Sequence, residues 1–199
     1  MNLGIYIQVP FCQTKCTYCN FHTGVVAREK YAPYAGAVRR EIAELAASGE
    51  LSSLRAAPLD TVYFGGGTPS LLEPSTLAAI LDVLCRNFAF ADSAALTSGS
   101  THEVTSAARA EITLEADPET ITPEKAQAWL ASGFNRISLG VQSFDDRELQ
   151  AAGRKHRRAD IFAAARTLRE AGFRNTSMDL IAGLAQQTRA SWELSLIHI

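Results

Sequence analysis

Three cysteines within eight residues, Cys12, Cys16 and Cys19, carry the strongest chemical signal in this 199-residue chain. Thiolates this close in sequence can converge on one metal centre, whereas such near neighbours seldom reach the geometry of a good disulfide. In the spacing Cys-x3-Cys-x2-Cys, three ligands on a four-iron cube leave one iron free, and an open coordination position is what substrate chemistry requires. Val9, Pro10, Phe11, Tyr18 and Phe21 flank the loop, and apolar surroundings restrict water and tune a reduction potential. Structural zinc is the competing reading. Zinc wants four ligands, and Cys85 falls in a helical pattern with Leu81, Leu84 and Phe88 that reads as a buried core thiol. That leaves His22 as a fourth donor. Iron–sulfur, zinc and chance clustering all stand at this point.

A second feature is Gly65-Gly66-Gly67-Thr68-Pro69-Ser70, which follows the apolar run Thr61–Phe64. Three glycines at a strand end let the backbone approach a ligand closely and present its amide and carbonyl groups. A phosphate loop is the rival, but no Gly-Lys-Ser/Thr follows, and a merely tight turn is the bland alternative. Other strand ends are polar as well: Glu115 and Asp117, Gln142, and Asp179 inside Met178-Asp179-Leu180-Ile181. An acid within an apolar strand is costly unless it is paired or faces a polar cavity. Glu115 and Asp179 are therefore expected to face the mouth of a barrel, although a structural ion pair would explain either one alone.

The elements that must carry these residues alternate. Short β-branched runs near Gly4–Gln8, Thr61–Phe64, Glu111–Ala116, Arg136–Val141 and Thr176–Ile181 read as strands. Helical patterns near Arg28–Ala47, Pro74–Asn87, Pro123–Ala131 and Ala159–Ala171 lie between them, and Thr122-Pro123-Glu124 marks one helix start. Alternation of this kind predicts an α/β protein with parallel strands, either a doubly wound sheet or a β/α barrel, with chemistry at the C-terminal strand ends. Residues 92–110, rich in Ser, Thr and Ala, read as a surface insertion. Thr188–Leu196 looks like the start of a further helix. A complete β/α barrel needs roughly 250 residues, so the expectation is a partial barrel, truncated after about five β/α units.

Composition narrows the function classes. With 19 Lys and Arg against 21 Asp and Glu the net charge is −2, which leaves no electrostatic footprint for nucleic acid. No apolar run is long enough for a transmembrane segment, and the first residues lack the pattern of a secretion signal. A cytoplasmic location is expected, where clustered thiols stay reduced.

Together these motifs resemble the radical S-adenosylmethionine (SAM) superfamily, and within it the oxygen-independent coproporphyrinogen III oxidase-like branch that includes heme chaperones. The resemblance rests on Tyr6-Ile7-Gln8-Val9-Pro10-Phe11-Cys12, Phe64–Ser70, Leu114-Glu115-Ala116-Asp117-Pro118, Arg136–Phe144 and Met178–Leu184. It implies that residues 1–199 are a radical SAM core domain, incomplete at its C-terminus. It also implies a 4Fe–4S cluster on Cys12, Cys16 and Cys19, with the amino and carboxylate groups of SAM on the fourth iron. Gly66, Gly67 and Thr68 would lie along the methionine part. Glu115, Gln142 and Asp179 would meet its polar and ribose groups, Arg154 its carboxylate, and Tyr6 and Tyr18 would border the site. No residue is given a catalytic role.

Two departures matter. The family usually carries His two residues before the proline of its first motif, where this chain has Gln8. Coproporphyrinogen oxidases of the branch carry a further Cys where this chain has Phe21. The second departure favours heme binding and transfer to an acceptor protein, with an electron donor for the cluster, over oxidative decarboxylation of a porphyrinogen.

Overall fold

A computed structural model describes residues 3–48, 57–91 and 110–198. The expected insertion at 92–110 therefore lies, except for Ala110, outside the described residues. Five strands, β1 (Leu3–Val9), β2 (Leu59–Gly66), β3 (Glu111–Ala116), β4 (Arg136–Gln142) and β5 (Asn175–Leu180), form one sheet. The described α-helices are α1 (Tyr31–Ala47), α2 (Pro74–Asn87), α3 (Pro123–Ala131), α4 (Asp146–Ala151), α5 (Arg158–Ala171) and α6 (Arg189–Ile197).

Strand order in the sheet follows chain order, β1-β2-β3-β4-β5, and every neighbouring pair is parallel. A doubly wound sheet reverses its order at a switch point. None occurs here, so the two architectures expected from the sequence reduce to one, the winding of a β/α barrel.

The two faces of the sheet differ in chemistry. Because side chains alternate along a strand, Ile7, Val9, Val62, Phe64, Ile112, Leu114 and Ile137 all fall on one face. There they pack against Ile42 of α1, Leu77, Ile80 and Leu84 of α2, Trp129 of α3 and Leu168 of α5. A second cluster of Leu139, Val141, Phe144, Leu149, Ile161 and Ala164 supports the far end of β4. The opposite face is polar. In register across it run Tyr6, Tyr63, Thr113 and Arg136, and then Gln8 beside Gly65 and Glu115 beside Ser138 and Ser177. Leu114 has no exposed surface, so Leu114→Ala is expected to lower stability by about 2–5 kcal/mol. That loss is read as a lower denaturant midpoint at unchanged slope.

Two local expectations are corrected. Cys85 is exposed; α2 turns Leu77, Ile80, Leu81, Val83 and Leu84 inward, and Val83 takes the buried flank of the stripe that Cys85 was expected to occupy. The sequence reading also contained no α4. That helix is only six residues long, and its start is fixed by the Asp145 carboxylate, which accepts from the amides of Arg147 and Glu148 at 2.8 and 3.2 Å.

Candidate functional site

The C-terminal ends of the strands open onto a cavity of about 220 Å³. Cys12, Cys16, Cys19, Tyr18, Gly66, Gly67, Thr68, Glu115, Gln142, Arg154 and Asp179 all line it. Of the residues given a cluster or SAM role by the family resemblance, Tyr6 alone is not among them. It stacks on Tyr63 with ring centroids 5.7 Å apart, and the Tyr63 hydroxyl in turn donates to Glu115 Oε1 at 2.8 Å. Asp117, Glu119, Ser138, Gly140 and Lys155 also line the cavity although the sequence reading gave them no role. Strand periodicity would have found three of these: Asp117 lies two residues beyond Glu115, and Ser138 and Gly140 step back by twos from Gln142 on one face.

Backbone bonds shape the cysteine loop from two sides. On one side Cys12 N donates to Gly24 O at 3.0 Å and Gly24 N to Pro10 O at 2.9 Å. On the other, Thr17 N donates to Ala152 O at 3.2 Å, and the Thr17 and Thr14 hydroxyls reach Ala151 O and Gly153 O. The loop is also joined to the glycine run. Gly67 N donates to Val9 O and Thr68 N to Phe11 O, both at 2.7 Å. This close approach requires glycine at position 67, where a Cβ would drive into the Phe11 carbonyl oxygen and lie 2.9 Å from that of Val9. Gly66, at φ +111°, occupies the left-handed region.

The glycine run is poorly suited to an anion. The amide of Gly66 is taken by Glu115 Oε2 at 3.0 Å, and those of Gly67 and Thr68 by backbone carbonyls. A phosphate would find none of these three donors free. The cavity instead carries four carboxylates, Glu115, Asp117, Glu119 and Asp179, against the cations Arg154 and Lys155, a balance that favours a positively charged ligand.

Burial pushes the Glu115 carboxyl above its ordinary range, although the Tyr63 hydroxyl and the Gly66 amide oppose the shift. Burial also raises Asp117, against the pull of Arg154 and Thr68. Burial raises the Cys12 thiol, with the Thr23 and Thr68 hydroxyls acting in the opposite sense, so a metal arriving at Cys12 must displace a proton. Arg154 does not stand free as a carboxylate receptor. Its guanidinium pairs with Asp117, donates to Gly140 O at 2.9 Å and lies 3.8 Å from Cys16 Sγ. Its Nε is buried without a hydrogen-bond partner.

Among the described residues, no three His, Cys, Asp or Glu side chains converge closely enough to hold a single metal ion. A lone zinc would gather its ligands at about 2.0–2.3 Å from one centre. A cube that gives each thiolate its own iron keeps the sulfurs further apart. Three thiols on one cavity beside an acid-rich wall fit a cluster and a cationic cofactor. Asp179 accepts from the Ser138 hydroxyl at 3.0 and 3.1 Å, so it is hydrogen-bonded within the polar face and does not contribute an ion pair. No described helix is long and apolar enough to cross a membrane.

Comparison with known proteins agrees with this geometry. The chain is 38% identical over 202 residues to the heme chaperone HemW of Synechocystis sp., a match covering 98% of this chain and 43% of the relative. It is 36% identical over 189 residues to the oxygen-independent coproporphyrinogen III oxidase of Bradyrhizobium diazoefficiens, covering 94% of this chain and 38% of that protein. The solved structure of coproporphyrinogen III oxidase (HemN) from Escherichia coli, a radical SAM enzyme, superposes with a TM-score of 0.80 at 30% identity, over 98% of this chain and 40% of the other. The chain thus spans about two fifths of the length of these relatives. The family model of the radical SAM superfamily matches residues 6–196, nearly the whole chain including the cysteine loop, the end of β1 and all of β2 to β5, and the chain belongs to that superfamily.

Proposed function

We propose that residues 1–199 form the core domain of a heme chaperone-like protein that holds a 4Fe–4S cluster on Cys12, Cys16 and Cys19 and binds SAM beside it. The observation that carries this reading is the convergence of the three cysteines, Gly66–Thr68, Glu115, Gln142, Arg154 and Asp179 on one cavity at the strand ends. A cluster held by Cys12, Cys16 and Cys19 would supply an electron for reductive cleavage of SAM bound beside it.

The chain's own groups bind, orient and shield. The acid-rich wall attracts a sulfonium and an ammonium. Arg154, fixed by Asp117 and Gly140, keeps its charged guanidinium in the cavity wall, where it attracts a carboxylate. Tyr18, which lines the cavity with Arg154 and Cys16, limits water at the sulfurs. Its hydroxyl is pushed up by burial and stays protonated, with Arg154 opposing the shift and Cys16 adding to it. Burial favours the neutral guanidinium of Arg154, but Asp117, Tyr18 and Cys16 outweigh it and raise that group further, so it remains charged at every working pH.

Heme binding and delivery to an acceptor protein follow from the likeness to heme chaperones and from Phe21, which stands at the cavity rim, 69% exposed, where oxidases of the branch carry another cysteine. An electron donor is required for the cluster. A thiol-rich site suits a reducing compartment, which supports a cytoplasmic location. The second reading, oxidation of coproporphyrinogen III, is favoured by the likeness to the oxidases. Anaerobic incubation of the full-length, cluster-loaded protein with coproporphyrinogen III, SAM and a reductant separates the two. The chaperone reading expects no protoporphyrinogen, together with stoichiometric heme binding; accumulation of protoporphyrinogen would overturn it.

A further inference from the structure

Gln142 is one of only two non-glycine residues among those described with a left-handed backbone, at φ +67°. It ends β4, where the ladder to β5 shifts register between Leu139 and Gln142. Ser143 N donates back to Val141 O at 2.9 Å. Gln142 is therefore the centre of a three-residue turn with positive φ, a rare and strained form. A non-glycine residue in such a conformation costs about 1–3 kcal/mol and persists only where its surroundings over-determine it. The strain falls on the residue whose side chain enters the cofactor cavity.

His156 meets this turn from the buried side. It has no exposed surface, and its Nε2 lies 3.1 Å from Val141 O, the same carbonyl that closes the turn. A carbonyl can only accept, so Nε2 carries a proton. The other ring nitrogen, Nδ1, is 3.4 Å from Glu119 Oε2, an ion-pair distance without hydrogen-bond geometry. Burial pushes the Glu119 carboxyl up, but His156, the local backbone and Arg154 together carry it below its ordinary range. One buried ring thus touches the strained turn and faces a second wall of the cavity. It lies two residues past Arg154, whose guanidinium grips Gly140 O in the same strand.

We propose that His156 is a positioning residue of the cofactor cavity, bracing the turn that aims Gln142 inward while facing Glu119 on the adjoining wall. The inference rests on the SAM site proposed above. In the full-length, cluster-loaded protein, His156→Leu is expected to weaken SAM binding about tenfold by anaerobic equilibrium dialysis. His156→Gln, whose amide can reach Val141 O in place of Nε2, is expected to stay within about threefold of the unmodified protein.

A second readout needs no cofactor. In hydrogen exchange the Ser143 amide is expected to lose protection in His156→Leu, while the amides of Leu59 and Ile112, held at the other end of the sheet, keep theirs. A protein that is merely destabilised loses protection throughout, and that result overturns the proposal. So does unchanged Ser143 protection. Should His156→Leu fail to fold, His156→Gln decides, since a tenfold loss in that folded variant would show that the bond to Val141 does not set the site. Failure of the unmodified protein to bind SAM would overturn the proposed function alone, and the exchange pattern would still decide the brace.

Discussion

Cys16→Ser is expected to leave the protein folded but nearly devoid of iron after anaerobic reconstitution, with reductive SAM cleavage falling by at least about a thousandfold. A serine hydroxyl is a far weaker iron ligand than a thiolate, and a cube left with two cysteine ligands is held from one side only. The loop itself depends on backbone bonds, Cys12 N to Gly24 O and Thr17 N to Ala152 O, and not on the sulfurs. Circular dichroism of the variant should therefore match that of the unmodified protein prepared without metal. Iron and sulfide analysis checks the first part, and 5′-deoxyadenosine formation the second. A Cys16→Ser protein retaining a full complement of iron and sulfide would show that the ligands lie elsewhere.

Gly67→Ala is expected to produce the second largest effect, by a different route. Its new methyl would meet carbonyl oxygens of both Phe11 and Val9. These are backbone atoms that cannot rotate away, so the strand end or the cysteine loop must shift. Overpacking of this kind costs about 1–3 kcal/mol, which thermal melting reads directly. The shift also separates the cluster loop from the cofactor floor, so SAM affinity should fall by more than the loss of stability alone accounts for. Gly24→Ala is the control, since a Cβ there meets nothing within 4 Å. Equal effects at the two positions would refute the steric argument.

Much of the site was legible in the sequence because it is written in local patterns. Glu115 and Asp179 break apolar strands, and burying a carboxyl among Leu and Ile needs a polar destination. Both do face the cavity at the strand ends. β3, α2 and α3 begin and end where their periodicity and punctuation place them. For α3 the Thr122 hydroxyl accepts from Lys125 N at 3.3 Å. What stayed hidden depends on residues far apart in the chain. Arg154 and Asp117 are 37 residues apart and meet because α4 and its following turn fold back over the strand ends. That pairing changes Arg154 from a free receptor to a shared one, and no local pattern announces it. The left-handed Gln142 was likewise invisible, because composition carries no trace of a positive φ outside glycine. Cys85 was misread for a simpler reason. Val83 and Cys85 edge the apolar stripe of α2 from opposite sides, about 200° apart around the helix, and the buried face takes in the Val83 side.

The two-sided attachment of the cysteine loop has a consequence for biogenesis. Its hydrogen bonds reach far forward along the chain, from Thr14 to Gly153 at a separation of 139 residues. Contacts of such long span form late in folding. On a nascent polypeptide the three sulfurs therefore lack the frame that sets their spacing, and it exists only once β4 and α4 have been made and docked. Iron delivered before that moment would meet three thiols on a floppy eight-residue stretch, so cluster maturation would be timed by docking of β4 and α4 and not by emergence of the cysteines.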